Sequence, residues 1–182
     1  NQLFRGNRTT KHHSEHFNAF RSTNFPALAT AGVHITYNFP YLYRCPAHVP
    51  FKVSKYLNHK IALLKLYPGM REYAEAIISA KDLKGIVIET YGTGNAPNHK
   101  WFHDLLKKAL RRNIILVNIS QCPGGKVEMG RYETSLYHLE RGIINGYDIT
   151  TEAAITKLMY LLGNHIDFNT IKTRFSDSLK GE

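Results

Sequence analysis

Three groups of side chains in this sequence have types and spacings that suggest chemistry. His12, His13 and His16 include a His-x-x-His spacing that can hold a metal ion. No further ligand pattern accompanies it, so the cluster reads as polar surface and no metal is expected. Gly92-Thr93-Gly94-Asn95 has the outline of a phosphate-cradling loop. The third glycine of a dinucleotide fingerprint is absent, however, and Leu116 to Ser120 carry no acidic residue to hold a ribose. These glycines therefore read as the turn before a helix, and no cofactor is expected. Cys45 and Cys122 stand far apart without a Cys-x-x-Cys or Cys/His companion, as free thiols do. Lys11, in Thr9-Thr10-Lys11, reads by itself as a solvated lysine in a basic stretch.

The elements that position these residues are clearest after residue 58. Ile61 to Leu66, Gly85 to Thr90 and Ile114 to Ile119 are short apolar runs closed by turn residues, which predicts buried strands. Between them lie a helix ending near Ala80 and an amphipathic helix carrying Trp101, Phe102, Leu105, Leu106, Ala109 and Leu110. Two more helices follow, the first capped by Thr150 and stopped by Gly163, the second capped by Asp167. Lys107, Lys108, Arg111 and Arg112 form a basic helix end that complements the helix dipole. Continuous apolar strands alternating with helices predict an α/β fold, a small Rossmann-like domain whose parallel sheet of three to four strands is flanked by helices. Ligands bind such sheets beyond the carboxyl ends of the strands. Here those ends are Tyr67 to Gly69, Tyr91 to Pro97 and Ser120 to Gly125.

Before residue 58 the reading is sparser. Residues 38–57 are rich in proline and aromatics and read as a linker of extended backbone. The net charge of +10 is concentrated early: residues 1–70 hold nine Lys or Arg against one acid, Glu15, whereas residues 71–182 hold fifteen against thirteen. The chain opens without an initiator Met, which suggests a segment of a longer protein whose other part carries matching acidic surface. With 43% apolar residues, no run of about eighteen apolar residues and no secretory signal pattern, the expectation is a soluble, cytoplasmic chain with no membrane partner.

Taken in order, several stretches resemble the bacterial cytosolic-type (type I) L-asparaginases: Arg5 to Lys11, Tyr67-Pro68-Gly69, Tyr91 to Pro97, Ser120-Gln121-Cys122 with Gly125-Lys126-Val127 and Met129-Gly130, and Asp148 to Ala153 with Thr156-Lys157-Leu158. The resemblance implies that residues 1–37 are the remnant of a larger N-terminal domain, 38–57 the inter-domain linker and 58–182 the C-terminal domain. It implies an amidohydrolase that converts L-asparagine and water to L-aspartate and ammonia through a threonine acyl-enzyme, built as a homodimer or homotetramer. A threonine hydroxyl is a weak nucleophile that needs a base or a positive field. The family supplies this with a lysine and an aspartate, and Lys11 matches the lysine, with Arg8 and any protonated His12 or His13 adding positive field nearby. The family's Thr-Gly-Gly-Thr and Asp-Gly-Thr-Asp motifs occur nowhere in the sequence. Without that nucleophile the chain alone is expected to be inactive.

The same resemblance places Asn95 at the border of a partner subunit's substrate pocket, with Glu128 or Glu133 as an acidic companion. An amide there serves either the substrate's polar head or its own turn. A regulatory asparagine site of some members matches Ser120 and Cys122, but Glu89 stands where the family's arginine would be. A guanidinium would clamp the effector's carboxylate and a glutamate would repel it, so no regulation by asparagine is expected. Two other classes compete: a non-catalytic α/β module binding an amino acid or a protein, and a basic nucleic-acid binder. Only the overall charge favours the second, and no nucleic-acid partner is expected.

Overall fold

The computed structural model describes residues 1–45, 47–129, 142–164 and 167–182. The first part of the chain forms short strands, β1 (Gln2–Leu3), β2 (Thr10–Lys11), β3 (Phe20–Arg21), β4 (Ala29–Ala31) and β5 (Ile35–Tyr37). β1, β4 and β5 make one antiparallel sheet in that order, while β2 and β3 pair antiparallel on their own. Strands of two or three residues bury little. Within residues 1–42 only Arg8, Ala19 and Ala29 are buried, and Leu3, Phe17, Phe20, Val33 and Ile35 are exposed. From residue 38 the chain makes a single 3-10 turn at Phe39–Tyr41, whose Pro40 fits the first helical positions, and then no regular structure among its described residues up to β6.

The core is a parallel four-stranded sheet: β6 (Ile61–Lys65), β7 (Gly85–Thr90), β8 (Ile115–Ser120) and β9 (Ile143–Asn145), in that spatial order. Side-chain alternation assigns the two faces. Leu64, Leu66, Ile86, Ile88 and Leu116 pack with Met70, Ala74 and Ile78 of the first helical region and with Phe102, Leu105 and Leu106, so α1 (Arg71–Ser79) and α2 (Lys100–Arg111) cover one side. Val87, Ile115, Val117 and Ile119 pack with Leu158, Leu161, Ile171 and Phe175, so α3 (Thr151–Asn164) and α4 (Phe168–Ser176) cover the other. Every residue of β7 is buried, as a central strand covered on both faces requires.

The starts of α3 and α4 and the end of α1 have identifiable side-chain partners. The Thr150 hydroxyl accepts from the amide of Ala153 at 3.2 Å, and Asp167 accepts from Thr170 at 2.8 Å, as their cap positions require. Gly163 does not stop α3, which runs on to Asn164. It is instead a point of close approach, where an added Cβ would lie 2.5 Å from the Tyr56 carbonyl oxygen. Arg112 has a further task beyond the dipole of its own helix. Its guanidinium donates to the carbonyls of Ile78, Ala80 (2.7 Å) and Lys81 (3.2 Å), closing the end of α1. No helix among the described residues is long and apolar enough to cross a membrane.

Candidate functional site

The segments that follow the carboxyl ends of β8 and β9 meet the first residues of the chain along a polar seam. Arg8, buried at the end of a 3-10 turn (Gly6–Arg8), sends both terminal nitrogens to Asp148, one at 3.0 Å from Oδ1 and the other onto Oδ2. A bidentate pair of this kind fixes direction as well as distance. Asn24 brackets Gly125, donating to its carbonyl at 2.9 Å and accepting from its amide at 2.9 Å. The Thr10 hydroxyl donates to Glu152 at 3.1 Å. Beside these ties lies a partly open cavity of about 180 Å³, whose wall includes Thr10, His12, Arg21, Ser120, Cys122, Tyr147 and Glu152. Organic ligand sites commonly measure roughly 300–1,000 Å³, so only a small polar molecule fits.

Ser120 and Cys122 share this wall. The Ser120 hydroxyl donates to the Gly92 carbonyl at 2.5 Å and accepts from the Cys122 amide at 3.0 Å, so it braces the two loops against each other. Cys122 is exposed. Glu89 is not on the wall: it is buried at the end of β7 and accepts from the Thr151 hydroxyl at 2.6 Å, with the Lys65 ammonium 3.6 Å from its other oxygen. Thr151 lines the cavity, so Glu89 borders it through that residue.

Asn95 closes a tight turn after β7. The Tyr91 and Asn95 amides and carbonyls exchange two bonds of 2.8 Å, and the Gly94 amide donates to Tyr91 at 3.0 Å. Glu128 joins this turn through its backbone, donating to the Thr93 carbonyl at 2.9 Å, while its side chain lies 3.5 Å from Lys126. The fold thus brings Asn95 and Glu128 to one corner. Thr90 and Asn118, both buried, support it from beneath, the Thr90 hydroxyl lying 2.6 Å from Asn118 Oδ1 and 3.0 Å from the Ile119 carbonyl. Sequence reading did not single out this pair, though a polar residue inside each of two apolar strand runs was the available signal. Gly94 has φ +111°, and an added Cβ would lie 2.8 Å from Val127 and 3.3 Å from the Asn118 amide nitrogen. Gly94→Ala is expected to cost about 1–3 kcal/mol, measured by thermal unfolding, because strain and overpacking coincide there.

Residues 60–175 match the glutaminase/asparaginase C-terminal domain family, and residues 1–42 match the asparaginase N-terminal family. The chain belongs to the asparaginase family. It is 40% identical to L-asparaginase 1 of Escherichia coli K12 over 188 aligned residues, covering 100% of this chain and 54% of that protein. It superposes on L-asparaginase I of Vibrio cholerae with a TM-score of 0.90 at 36% identity, covering 100% of this chain and 55% of the other. A probable cytoplasmic L-asparaginase of Campylobacter jejuni gives a TM-score of 0.72 at 25% identity, over 93% of this chain and 50% of the other. The chain therefore spans about half the length of the relatives it matches.

Within this asparaginase segment Lys11 stands apart from the other singled-out residues. It is exposed on β2, paired with Phe20, and is absent from the cavity wall that Thr10 and His12 help to form. Strand alternation explains this, since residues 10 and 12 face one way and residue 11 the other. Arg8 does not point its charge at Lys11, because Asp148 takes up the guanidinium. The His13 and His16 rings lie 3.8 Å apart, and His13 Nδ1 accepts from the Glu15 amide at 3.3 Å. Glu133 and Gly130 lie outside the described residues.

Proposed function

We propose that this chain is the C-terminal part of an L-asparaginase, with residues 1–37 completing a larger N-terminal domain, 38–57 linking and 58–182 forming the small domain. The observation that carries this reading is that residues 1–42 match the N-terminal and residues 60–175 the C-terminal asparaginase family, while neither Lys11 nor the corner of Asn95 and Glu128 lines the 180 Å³ polar cavity. Such groups serve a centre assembled from elsewhere. Lys11 is the proton-handling amine for a threonine nucleophile that the sequence lacks, and Asn95 with Glu128 borders the substrate site of a neighbouring subunit in a homodimer or homotetramer. The substrate is L-asparagine, hydrolysed through an acyl-enzyme, without cofactor, metal or nucleic acid, in the cytoplasm. Likeness to the probable cytoplasmic L-asparaginase of Campylobacter jejuni supports that location. The test is complementation: mixing the chain with the remaining half of the whole protein restores ammonia release from asparagine, and a folded mixture without hydrolysis refutes the assignment.

A second reading, an amino-acid-binding module, is favoured by one observation, the 180 Å³ polar cavity with Ser120 and Cys122 on its wall. Glu89 argues against asparagine as its ligand. It stands where the family's arginine would be, but it is buried off the cavity wall, held by the Thr151 hydroxyl and paired with Lys65, so it offers an effector's carboxylate no donor. Calorimetric titration of the chain with asparagine at millimolar concentration is expected to give no saturable heat. A saturating isotherm would favour the second reading and overturn the role given to Glu89.

A further inference from the structure

The tail of the chain hooks around one buried ammonium. Lys157, on α3, has a side chain only 7% exposed. It donates to the Asp177 carbonyl at 2.6 Å and to Glu182 Oε1 at 2.6 Å, and it lies 5.1 Å from the centre of the Phe175 ring. The Glu182 carboxylate is closed from its other side by the amides of Leu179 at 3.0 Å and Lys180 at 2.7 Å. Burial opposes the charge on Glu182, but the Lys157 ammonium and these amides outweigh it and hold the carboxyl below the usual glutamate range. The Glu182 carboxyl is therefore ionised at neutral pH.

The outer side of the same hook holds the beginning of the chain. Arg5 donates to the Gly181 carbonyl at 2.8 Å and, with its other nitrogen, to the Tyr41 carbonyl at 2.6 Å. Asn7 donates to the Lys180 carbonyl at 3.0 Å. A cavity of about 310 Å³ remains beside these contacts, between Asn7, Lys157, Tyr160 and Arg174. Within this chain the first 42 residues bury only Arg8, Ala19 and Ala29, so here their ties to residues 180 and 181 and to the Asp148 seam do much to hold them.

We infer that Lys157 and Glu182 form a clasp that, through Arg5 and Asn7, positions the segment carrying Lys11 on the small domain. The pair touches neither Lys11 nor the Asn95 corner and acts on the site only by holding the strand that bears the lysine. Its consequence for catalysis rests on the asparaginase reading above, but the clasp itself does not.

Hydrogen exchange on the 182-residue chain tests it. In Glu182→Gln and in Lys157→Met, the amides of Arg8, Thr9, Leu28 and Asn38, which bond within the first segment, are expected to exchange at least tenfold faster. The amides of β7 and β8 keep their original rates. Asn7→Ala, a milder change outside both cores, is expected to accelerate the same amides severalfold and covers the case in which the other variants do not fold. Unchanged rates overturn the clasp. So does equal acceleration through β7 and β8, which would mean that the pair only adds global stability. In the complemented enzyme, Glu182→Gln is expected to lower kcat at least tenfold with KM within twofold, and an unchanged kcat would break the link to Lys11. Absence of hydrolysis by the unsubstituted assembly would instead refute the asparaginase reading and leave the exchange result standing.

Discussion

Lys11→Met is expected to lower asparagine hydrolysis by the complemented enzyme by roughly 10²–10⁴-fold, the range for removing a positioned acid–base group. The stability of the chain should change by no more than about 0.5 kcal/mol, as for most exposed positions. The first expectation rests on the role proposed for Lys11, the second on where the residue stands. Its side chain is exposed on β2, belongs to neither core cluster and makes no ion pair among the described residues. A structural lysine would show the opposite pattern. The measurement is kcat/KM for ammonia release set beside thermal unfolding of the same variant. Lost stability with retained hydrolysis would assign Lys11 to the scaffold.

Arg8→Ala is expected to destabilise the chain by roughly 2–4 kcal/mol. Truncating one member of a buried pair leaves the other charge unpartnered at a cost of about 3–5 kcal/mol, and the lower figure here reflects Asp148, whose side chain is 37% exposed. The effect should be uneven. Arg8 links the first segment to the loop that opens α3, and Asn24 joins the same seam, whereas the two apolar faces of the sheet do not involve it. Limited proteolysis should therefore cut the first 37 residues of the variant well before the four-stranded sheet. Simultaneous loss of both parts would mean that seam and sheet unfold as one unit.

Much of the fold was legible because its strands are fully covered. Gly85 to Thr90 is buried at every position, so burial left a continuous apolar run to read. β9 escaped separate notice because three residues, Ile143–Asn145, give no period to count. Gly163 was misread as a stop because a sequence distinguishes poorly between glycine that ends a helix and glycine that lets another backbone approach. The first segment was unreadable for a different reason. Its strands are two or three residues long, and its position comes from partners far along the chain, Arg8 with Asp148 across 140 residues and Thr10 with Glu152 across 142. No local pattern announces such pairs.

The candidate site divides in the same way. Ser120 and Cys122 were legible as the loop at a strand end, where a parallel sheet presents its ligands, and they do line a cavity. Thr90 and Asn118 carried a signal, polar side chains within apolar runs, that gains meaning only once the Gly94 turn is seen above them. Lys11 carries no signal of its own in an exposed basic stretch and was reached only through family resemblance. Glu89 was noticed for the same reason, and its bond to Thr151 gives that position a partner inside the chain itself.

The most direct test of the central claim is an ammonia-release assay on the purified, folded chain with saturating L-asparagine and nothing added. On the proposed reading Lys11 is separated from the hydroxyl it serves, and no release above the uncatalysed background is expected. Release that scales with chain concentration and disappears in a substitution within residues 1–182 would contradict the account, because the attacking group would then lie inside this chain.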